Sequence, residues 1–122
     1  MLLVDDSPTV LQHLRRFLVS CPQFEVIATA ADGLEAVHVA RTLWPDLILM
    51  DLLMPGLNGF EATARIRQEL PDVPIIAMSV LDPEAAQAAA LASGADGFLA
   101  KARLFEDFEK EATRLLQPCS HQ

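Results

Sequence analysis

Short apolar runs alternate five times with longer amphipathic stretches along the chain. The runs are too short for helices and predict buried β-strands at residues 2–4, 24–29, 47–50, 75–78 and 98–100. The third run is apolar at every position, which is typical of a parallel strand covered by helices on both faces. Five strand–helix units of this kind predict a single α/β domain with an open, five-stranded parallel sheet and right-handed crossovers.

Residues that favour helix ends flank the first two amphipathic stretches. Ser7 stands before a proline and predicts the cap and first turn of a helix. Asp32 and Glu35 form a capping-box pattern that opens a second helix. This helix is expected to end near Trp44 and Pro45, because the residue before a proline disfavours helical backbone.

Turn residues also bound the last three helices. A third helix is predicted over residues 60–70, and a fourth from the Asp-Pro pair at 82–83 to a left-handed cap at Gly94. The last helix is predicted to bury one stripe formed by Phe105, Phe108, Ala112, Leu115 and Leu116. The domain is therefore expected to cover residues 1–117, with a flexible tail at 118–122.

Composition and charge narrow the class of protein. A chain of 122 residues, just over half of them apolar, is long enough to bury a core without disulfides or a structural metal. Its net charge of −8 disfavours direct binding to nucleic acid or anionic lipid, and no apolar run approaches the roughly 20 residues that span a bilayer. Cys21 and Cys119 are far apart and are interpreted as a core thiol and a tail thiol rather than a metal site or a redox pair. These features indicate a globular, cytoplasmic domain.

Polar side chains follow four of the five predicted strands directly. Asp5 and Asp6 follow the first strand, Asp51 the third, Ser79 the fourth and Lys101 the fifth. In open parallel sheets, ligands bind beyond the carboxyl ends of the strands. Each residue alone is more often a turn, cap or surface residue, but their joint occurrence favours a functional site with three carboxylates, one hydroxyl and one ammonium group.

The three carboxylates predict a metal site at that edge of the sheet. Two carboxylates about 4 Å apart repel by about 4 kcal/mol at an effective dielectric constant of about 20. A hard divalent cation such as Mg²⁺, or Mn²⁺ in its place, removes this conflict. Asp6 and Asp51 are the expected direct ligands together with the backbone carbonyl of Leu53, and Asp5 is expected to bind through water. A free oxygen of Asp51 can then attack a phosphorus atom, with the ion and Lys101 stabilising charge on the phosphoryl oxygens.

Four segments of the chain match the motifs of a known family. The segments are residues 2–7, 47–59, 76–79 and 94–101. They contain the acidic pair, Asp51 at the end of its strand, Ser79 28 residues later and Lys101 after a further 22 residues. Over essentially its full length the chain resembles the receiver domain of two-component response regulators. The resemblance implies a flavodoxin-like (βα)5 fold with strand order 2-1-3-4-5.

The resemblance also implies a phosphoacceptor switch rather than an enzyme. A histidine kinase or phosphotransfer protein would donate a phosphoryl group from a phosphohistidine to Asp51 in the presence of Mg²⁺. Ser79 would then swing to hydrogen-bond a phosphoryl oxygen, and Phe98 would turn inward into the vacated space. The face built from the fourth helix, the fifth strand and the fifth helix would bind a partner or form a homodimer, while any DNA contacts would belong to another domain.

The sequence departs from the family pattern at positions beside the site. Ala102 follows Lys101 where the family usually has a proline joined by a cis bond. Because a cis bond to alanine would cost about 3–4 kcal/mol, we predict a trans bond and a different local backbone. Val80 stands where small residues are common, which predicts narrower access to the phosphoryl site. Leu53 and Leu81 offer no group that orients a water molecule, which predicts self-dephosphorylation over minutes or longer.

Two other functions compete with the switch. Phosphatases of the haloacid dehalogenase type also use an aspartate and Mg²⁺ after a strand, but they need a second aspartate two residues later, where this chain has Leu53. A receiver-like scaffold that binds partners without phosphorylation would typically lack one of the acidic pair, the acceptor or the lysine, and all are present. Both alternatives are less favoured than phosphorylation.

The remaining histidines and the tryptophan are interpreted as structural or surface residues. His13, His38 and His121 lie on predicted helices or in the tail and fit neither a metal site nor a phosphohistidine. Trp44 is expected to pack against a helix end, although an exposed tryptophan could serve an interface.

Overall fold

The structure is a computed structural model of the chain, and it describes residues 1–54, 56–80 and 83–116. Its strands are β1 Leu2–Val4, β2 Ala28–Ala30, β3 Ile48–Asp51, β4 Ile75–Ser79 and β5 Gly97–Ala100. Its helices are α1 Pro8–Leu18, α2 Gly33–Leu43, α3 Gly59–Glu69, α4 Pro83–Ser93 and α5 Leu104–Leu116. A 3-10 turn, Lys101–Arg103, links β5 to α5.

The strands form one parallel sheet in the order β2-β1-β3-β4-β5. This order confirms the predicted fold. It reverses between β1 and β3, where Val4 lies opposite Met50. Asp5 and Asp51 are the next residues along these two strands, so the register brings them to the sheet edge side by side, at the point where such folds bind ligands.

Helices cover both faces of the sheet and bury a core on each face. One layer packs the alanine-rich faces of α2, α3 and α4 against the sheet. The other layer packs α1 and α5 around Leu14 and Phe108. β3 is buried from both sides, because Ile48 and Met50 belong to the first layer and Leu49 to the second. The uniformly apolar third run therefore forms a central strand, as predicted.

The predicted starts of α1 and α2 are confirmed by their caps. The Ser7 hydroxyl accepts a hydrogen bond from the Val10 amide at 3.3 Å, and an Asp32 carboxylate oxygen accepts one from the Glu35 amide at 2.8 Å. The Glu35 carboxylate accepts from the amide of Ala31 at 2.7 Å, one residue before the position that a capping box uses. Both side chains of the predicted pair thus satisfy amides at the start of α2.

One arginine holds the loops that lead into β4 and β5. Arg67 on α3 donates hydrogen bonds of 2.7–3.2 Å to the backbone carbonyls of Leu70, Pro71, Val73 and Gly94. Its guanidinium also pairs with the Asp96 carboxylate at 2.7 Å, and that carboxylate accepts from the Ile75 amide. Gly94 follows α4 with a φ of 113°, which confirms the predicted left-handed cap.

β2 begins later than predicted. It starts at Ala28 rather than at residue 24, because β1 is short and the Ile27 amide already reaches the carbonyl of Met1, at 3.0 Å. Phe24 packs instead in the layer of α1 and α5, where its ring centroid lies 5.2 Å from that of Phe108.

The predicted stripe on α5 is wrong at two positions. Phe108 and Ala112 are buried as predicted, and Leu115 packs partly buried against the same core. Phe105 and Leu116 are instead 44% and 41% exposed. The helix starts at Leu104, which is buried and takes the first core position, so the neighbouring Phe105 lies at the border of the core, with its ring centroid 5.0 Å from that of Phe17.

Trp44 lies on the surface, against the prediction that it packs against a helix end. Its side chain is 69% exposed. The backbone is left-handed, with φ 49° and ψ 62°, and the amide donates to the Ala40 carbonyl at 3.0 Å. α2 therefore ends one residue before Trp44, as predicted, and the chain turns so that the indole stays outside the core.

Two further interpretations agree with the described part of the chain. Cys21 is buried, and His13 and His38 are exposed. Among the described residues, no helix combines the length and apolar character needed to cross a membrane. Five predictions concern positions outside the described residues, namely Leu81, Asp82, Cys119, His121 and the tail at 118–122.

Candidate functional site

Three acidic residues lie together where β1 and β3 end, a region here called the carboxyl edge. Asp5 is fully buried, Asp51 is 2% exposed, and Asp6 is exposed. One carboxylate oxygen from each of the three lies within 4.8 Å of the other two. The structure thus brings together the acidic residues that the sequence placed on two different strands.

Lys101 reaches the same cluster from the far side of the sheet. Its Nζ donates to Asp5 Oδ2 at 2.8 Å and lies 3.4 Å from Asp51 Oδ1. The side chain starts in the 3-10 turn after β5 and crosses the ends of β4 and β3. The described residues contain no cis peptide bond, so the predicted trans bond between Lys101 and Ala102 is confirmed.

Asp5 is held by donors on both of its carboxylate oxygens. Oδ1 accepts from the Ser7 amide at 2.9 Å, and Oδ2 accepts from Lys101. Asp51 Oδ1 accepts from the Leu53 amide at 3.4 Å. Because Asp6 is exposed, it has more freedom than Asp5 to bind a ligand directly.

The charges of this cluster are unbalanced. Burial raises the pKa of the Asp51 carboxyl to about 6, the negative charge of Asp5 adds to the rise, and Lys101 only partly opposes it. Burial also lowers the pKa of Lys101, but its hydrogen bond to Asp5 and the charges of Asp51 and Asp5 outweigh this and hold that pKa above its usual value. One ammonium group therefore faces three carboxylates.

The donor set fits a hard divalent cation. All three side chains offer carboxylate oxygens close to one another, and Mg²⁺ prefers one or two carboxylates completed by water and phosphate oxygens. A cation would also relieve the repulsion that raises the pKa of Asp51. The residues present are thus compatible with Mg²⁺ and, by the same oxygen chemistry, with Mn²⁺.

Gly59 is a positioning residue that the sequence reasoning did not single out. A Cβ at this position would lie 2.1 Å from the Asp51 carbonyl oxygen. The Gly59 amide donates to the Leu52 carbonyl at 3.0 Å, so the start of α3 lies directly against the end of β3. The Asn-Gly pair at 58–59 was visible in the sequence, but only the tertiary contact shows why a side chain is excluded there.

Ser79 and Phe98, the predicted switch pair, lie on neighbouring strands. Ser79 is buried at the end of β4 and lies opposite Ala100. Phe98 is partly buried against the layer of α2, α3 and α4, and its amide donates to the Glu111 carboxylate at 3.3 Å. The coupled movement of Ser79 and Phe98 stays a prediction.

Two apolar side chains border the acidic cluster. Leu53 follows Asp51 by two residues and is 44% exposed, and Val80 follows Ser79 and is 72% exposed. Slow self-dephosphorylation and narrower access to the site therefore stay predictions for this part of the surface.

Comparisons with known proteins agree with the geometry. A family model described as the response regulator receiver domain matches residues 1–112. The nitrate/nitrite response regulator protein NarL of Escherichia coli strain K12 is 36% identical over 110 residues, which cover 90% of this chain and 51% of NarL. The chain spans about half the length of the curated relatives it matches.

Solved structures show the same fold. The response regulator domain of Thermotoga maritima CheB superposes with a TM-score of 0.84 at 35% identity, covering 96% of both chains. A CheX–CheY–BeF3–Mg²⁺ complex from Borrelia burgdorferi gives a TM-score of 0.88 at 28% identity and covers 96% of this chain and 88% of that chain.

Proposed function

Since this chain belongs to the family of response regulator receiver domains of two-component systems, we propose that Asp51 accepts a phosphoryl group from the phosphohistidine of a histidine kinase or phosphotransfer protein. The observation that carries the proposal is the meeting of Asp5, Asp6 and Asp51 within 4.8 Å, with the Lys101 ammonium between Asp5 and Asp51. This constellation combines a nucleophilic oxygen with a fixed positive charge.

Asp51 and Lys101 have complementary tasks in this transfer. An oxygen of Asp51 forms the new bond to phosphorus while the bond to the donor nitrogen breaks. Lys101 stabilises negative charge on the phosphoryl oxygens, because its ammonium already lies 3.4 Å from the acceptor carboxylate. Asp5 is a positioning residue, since its 2.8 Å hydrogen bond fixes the end of the flexible lysine side chain.

We propose Mg²⁺ as the cofactor, with Mn²⁺ able to replace it. Asp6, Asp51 and the Leu53 backbone carbonyl would hold the ion, and Asp5 would contribute through water. When bound, the ion supplies positive charge that lowers the cost of bringing a phosphoryl group to three carboxylates. The CheX–CheY complex, which includes BeF3 and Mg²⁺ with a chain of the same fold, supports this assignment.

The proposed output is a change of the face formed by α4, β5 and α5. After transfer, Ser79 hydrogen-bonds a phosphoryl oxygen and Phe98 turns inward, because the added charge of roughly −1.5 to −2 favours that arrangement. This face then binds a partner or a second copy. We propose that the receiver covers residues 1–117 and that the protein lies in the cytoplasm, where its kinase would meet it.

The experiment that tests the proposal incubates the protein with Mg²⁺ and acetyl phosphate and measures intact mass. The expected result is an acid-labile gain of one phosphoryl group in the wild type. Asp51→Asn should show no gain, and Asp107→Asn, a half-buried aspartate on α5, should behave as the wild type. A gain that persists in Asp51→Asn, or none in the wild type with either acetyl phosphate or a phosphorylated kinase, would contradict the proposal.

A further inference from the structure

A groove of about 800 Å³ opens at the amino edge of the sheet, where β1, β3 and β4 begin. A second groove of about 280 Å³ adjoins it and shares Trp44, Pro45, Asp46 and Pro74 with it. Four large apolar side chains that line the first groove are each more than two-fifths exposed, namely Ile27, Leu43, Trp44 and Leu116. This exposed apolar area lies at the opposite end of the strands from Asp51.

Trp44 is the central feature of this area. It lines both grooves, and its indole is mostly exposed. Among the described residues, it is the only residue other than glycine with a positive φ. Glycine adopts this backbone without steric cost and is the common choice after a helix, so neither the core nor the turn accounts for a tryptophan here. Tryptophan is enriched among the side chains that dominate binding energy at protein interfaces.

The charges around the grooves indicate the chemistry of the partner. Glu25, Asp46 and Asp72 line the two grooves and are exposed. Neither groove has a lysine or arginine among its described lining residues. The amino group of Met1 is the cation present, and it donates to the Glu25 carbonyl. A second copy of this chain would bring like charges together, whereas a basic segment would be attracted.

We propose that this basal surface, formed by Ile27, Leu43, Trp44 and Leu116 with Glu25, Asp46 and Asp72, binds a lysine- or arginine-rich segment of another protein. A large apolar side chain of that segment packs beside Trp44, and its flanking cations face the three acidic residues. Since the surface lies at the opposite end of the strands from Asp51, it can be occupied while Asp51 faces a phosphoryl donor. The proposal does not depend on phosphorylation.

The fluorescence of Trp44 reports peptide binding directly, because the chain has one tryptophan and no tyrosine. The probes are three synthetic peptides of equal length: leucines flanked by lysines, serines in place of the leucines, and glutamates in place of the lysines. The expected result is a blue shift of tryptophan emission with the first peptide alone. A shift of the same size with the acidic peptide or with the serine peptide would overturn the proposal.

Variants separate binding from folding. Trp44→Gly keeps the left-handed turn and removes the indole, and it should weaken binding of the fluorescein-labelled first peptide by about thirtyfold in an anisotropy titration. The triple variant Glu25→Gln, Asp46→Asn and Asp72→Asn should weaken binding and reduce its salt dependence. Leu34→Ser, at an exposed apolar position outside the basal surface, should bind as the wild type.

Two further outcomes count against the proposal. Unchanged binding in Trp44→Gly, with circular dichroism showing a folded chain, would exclude Trp44 as the anchor. A concentration-dependent blue shift without peptide, matched by a dimer in sedimentation velocity, would assign the surface to a second copy instead.

Discussion

The two ends of the parallel strands use cations and carboxylates in opposite ways. At the carboxyl edge, Lys101 faces more carboxylates than it can neutralise, and the pKa of Asp51 is raised. At the amino edge, Arg67 donates hydrogen bonds to backbone carbonyls and to one carboxylate, that of Asp96. The arrangement around Lys101 leaves negative charge that a ligand can neutralise, whereas the arrangement around Arg67 provides hydrogen-bond donors for the carbonyls of two loops. We therefore expect function to depend on the carboxyl edge and stability on Arg67.

The largest expected effect is the loss of stability in Arg67→Ala. The change removes hydrogen bonds to two loops and leaves several carbonyls without a donor, so the free energy of unfolding should fall by about 4 kcal/mol in urea titrations. Arg67→Lys should recover only part of this, because a lysine cannot reproduce the planar fork. A folded fraction of either variant should still accept phosphoryl groups on Asp51. If Arg67→Ala lowered the free energy of unfolding by less than about 1 kcal/mol, Arg67 would not be the stabilising counterpart of the carboxyl edge.

The next effect is a gain of stability in Asp51→Asn. The pKa of Asp51 is about 6 in the folded chain against an ordinary value of 3.8, so this carboxyl favours folding below pH 3.8 and that contribution is lost as the pH rises through about 6. Without Mg²⁺ at pH 7, Asp51→Asn should therefore raise the free energy of unfolding by about 3 kcal/mol.

The cause of this gain is tested by measuring the free energy of unfolding of the wild type and Asp51→Asn at several pH values. The advantage of Asp51→Asn should shrink steadily as unfolding is measured at lower pH and should nearly vanish at pH 3.8, where the wild-type carboxyl is protonated. Added Mg²⁺ should stabilise the wild type more than the variant. An advantage that does not change with pH would show that burial and charge repulsion are not its cause.

Lys101→Ala should lower the rate of phosphorylation by about a hundredfold at saturating Mg²⁺. The ammonium is the protein's own positive charge beside the acceptor, so its loss removes stabilisation of the developing phosphoryl charge. Stopped assays with acetyl phosphate would measure the rate, and Lys110→Ala, an exposed lysine on α5, is the matched control. Equal rates in the two variants would remove Lys101 from the mechanism.

The smallest expected effect is a change in stability when Trp44 at the amino edge is replaced. Trp44→Gly should raise the free energy of unfolding by about 1 kcal/mol, because glycine adopts the left-handed backbone without the steric cost. Trp44→Ala keeps that cost and should be close to neutral. If both variants are strongly destabilised in thermal unfolding, the indole supports the fold and the basal surface is not free for a partner.

The elements that the sequence predicted best are those with a strong local signal. Asp51 and Lys101 follow apolar runs directly, so their place at the carboxyl edge required only the parallel topology. The closer contact of Lys101 with Asp5 than with Asp51 depends on the lengths of two side chains and the sheet twist, which no pattern encodes. The bonds of Arg67 join loops far apart in sequence, and for that reason they could not be foreseen.

The errors at β2 and Trp44 have a similar origin. The run at 24–29 has good strand composition, but a strand also needs a neighbour, and the ladder with β1 extends only to Ile27. Trp44 was expected to pack because large aromatic residues usually do. Its left-handed backbone instead directs the chain away from α2 and leaves the indole exposed.

The Glu111 carboxylate has a consequence for how this protein behaves at high concentration. β5 is the last strand of the sheet, and unpaired amides along such a strand invite another chain to add a strand and start aggregation. Glu111 accepts from the Phe98 amide, and Arg114 donates to both Glu111 and the Asp96 carbonyl. A Cβ on Gly97 would lie 2.5 Å from the same carboxylate, so the bare backbone at Gly97 lets Glu111 on α5 cover this border of the sheet, and removing that carboxylate should make the edge strand more prone to aggregation.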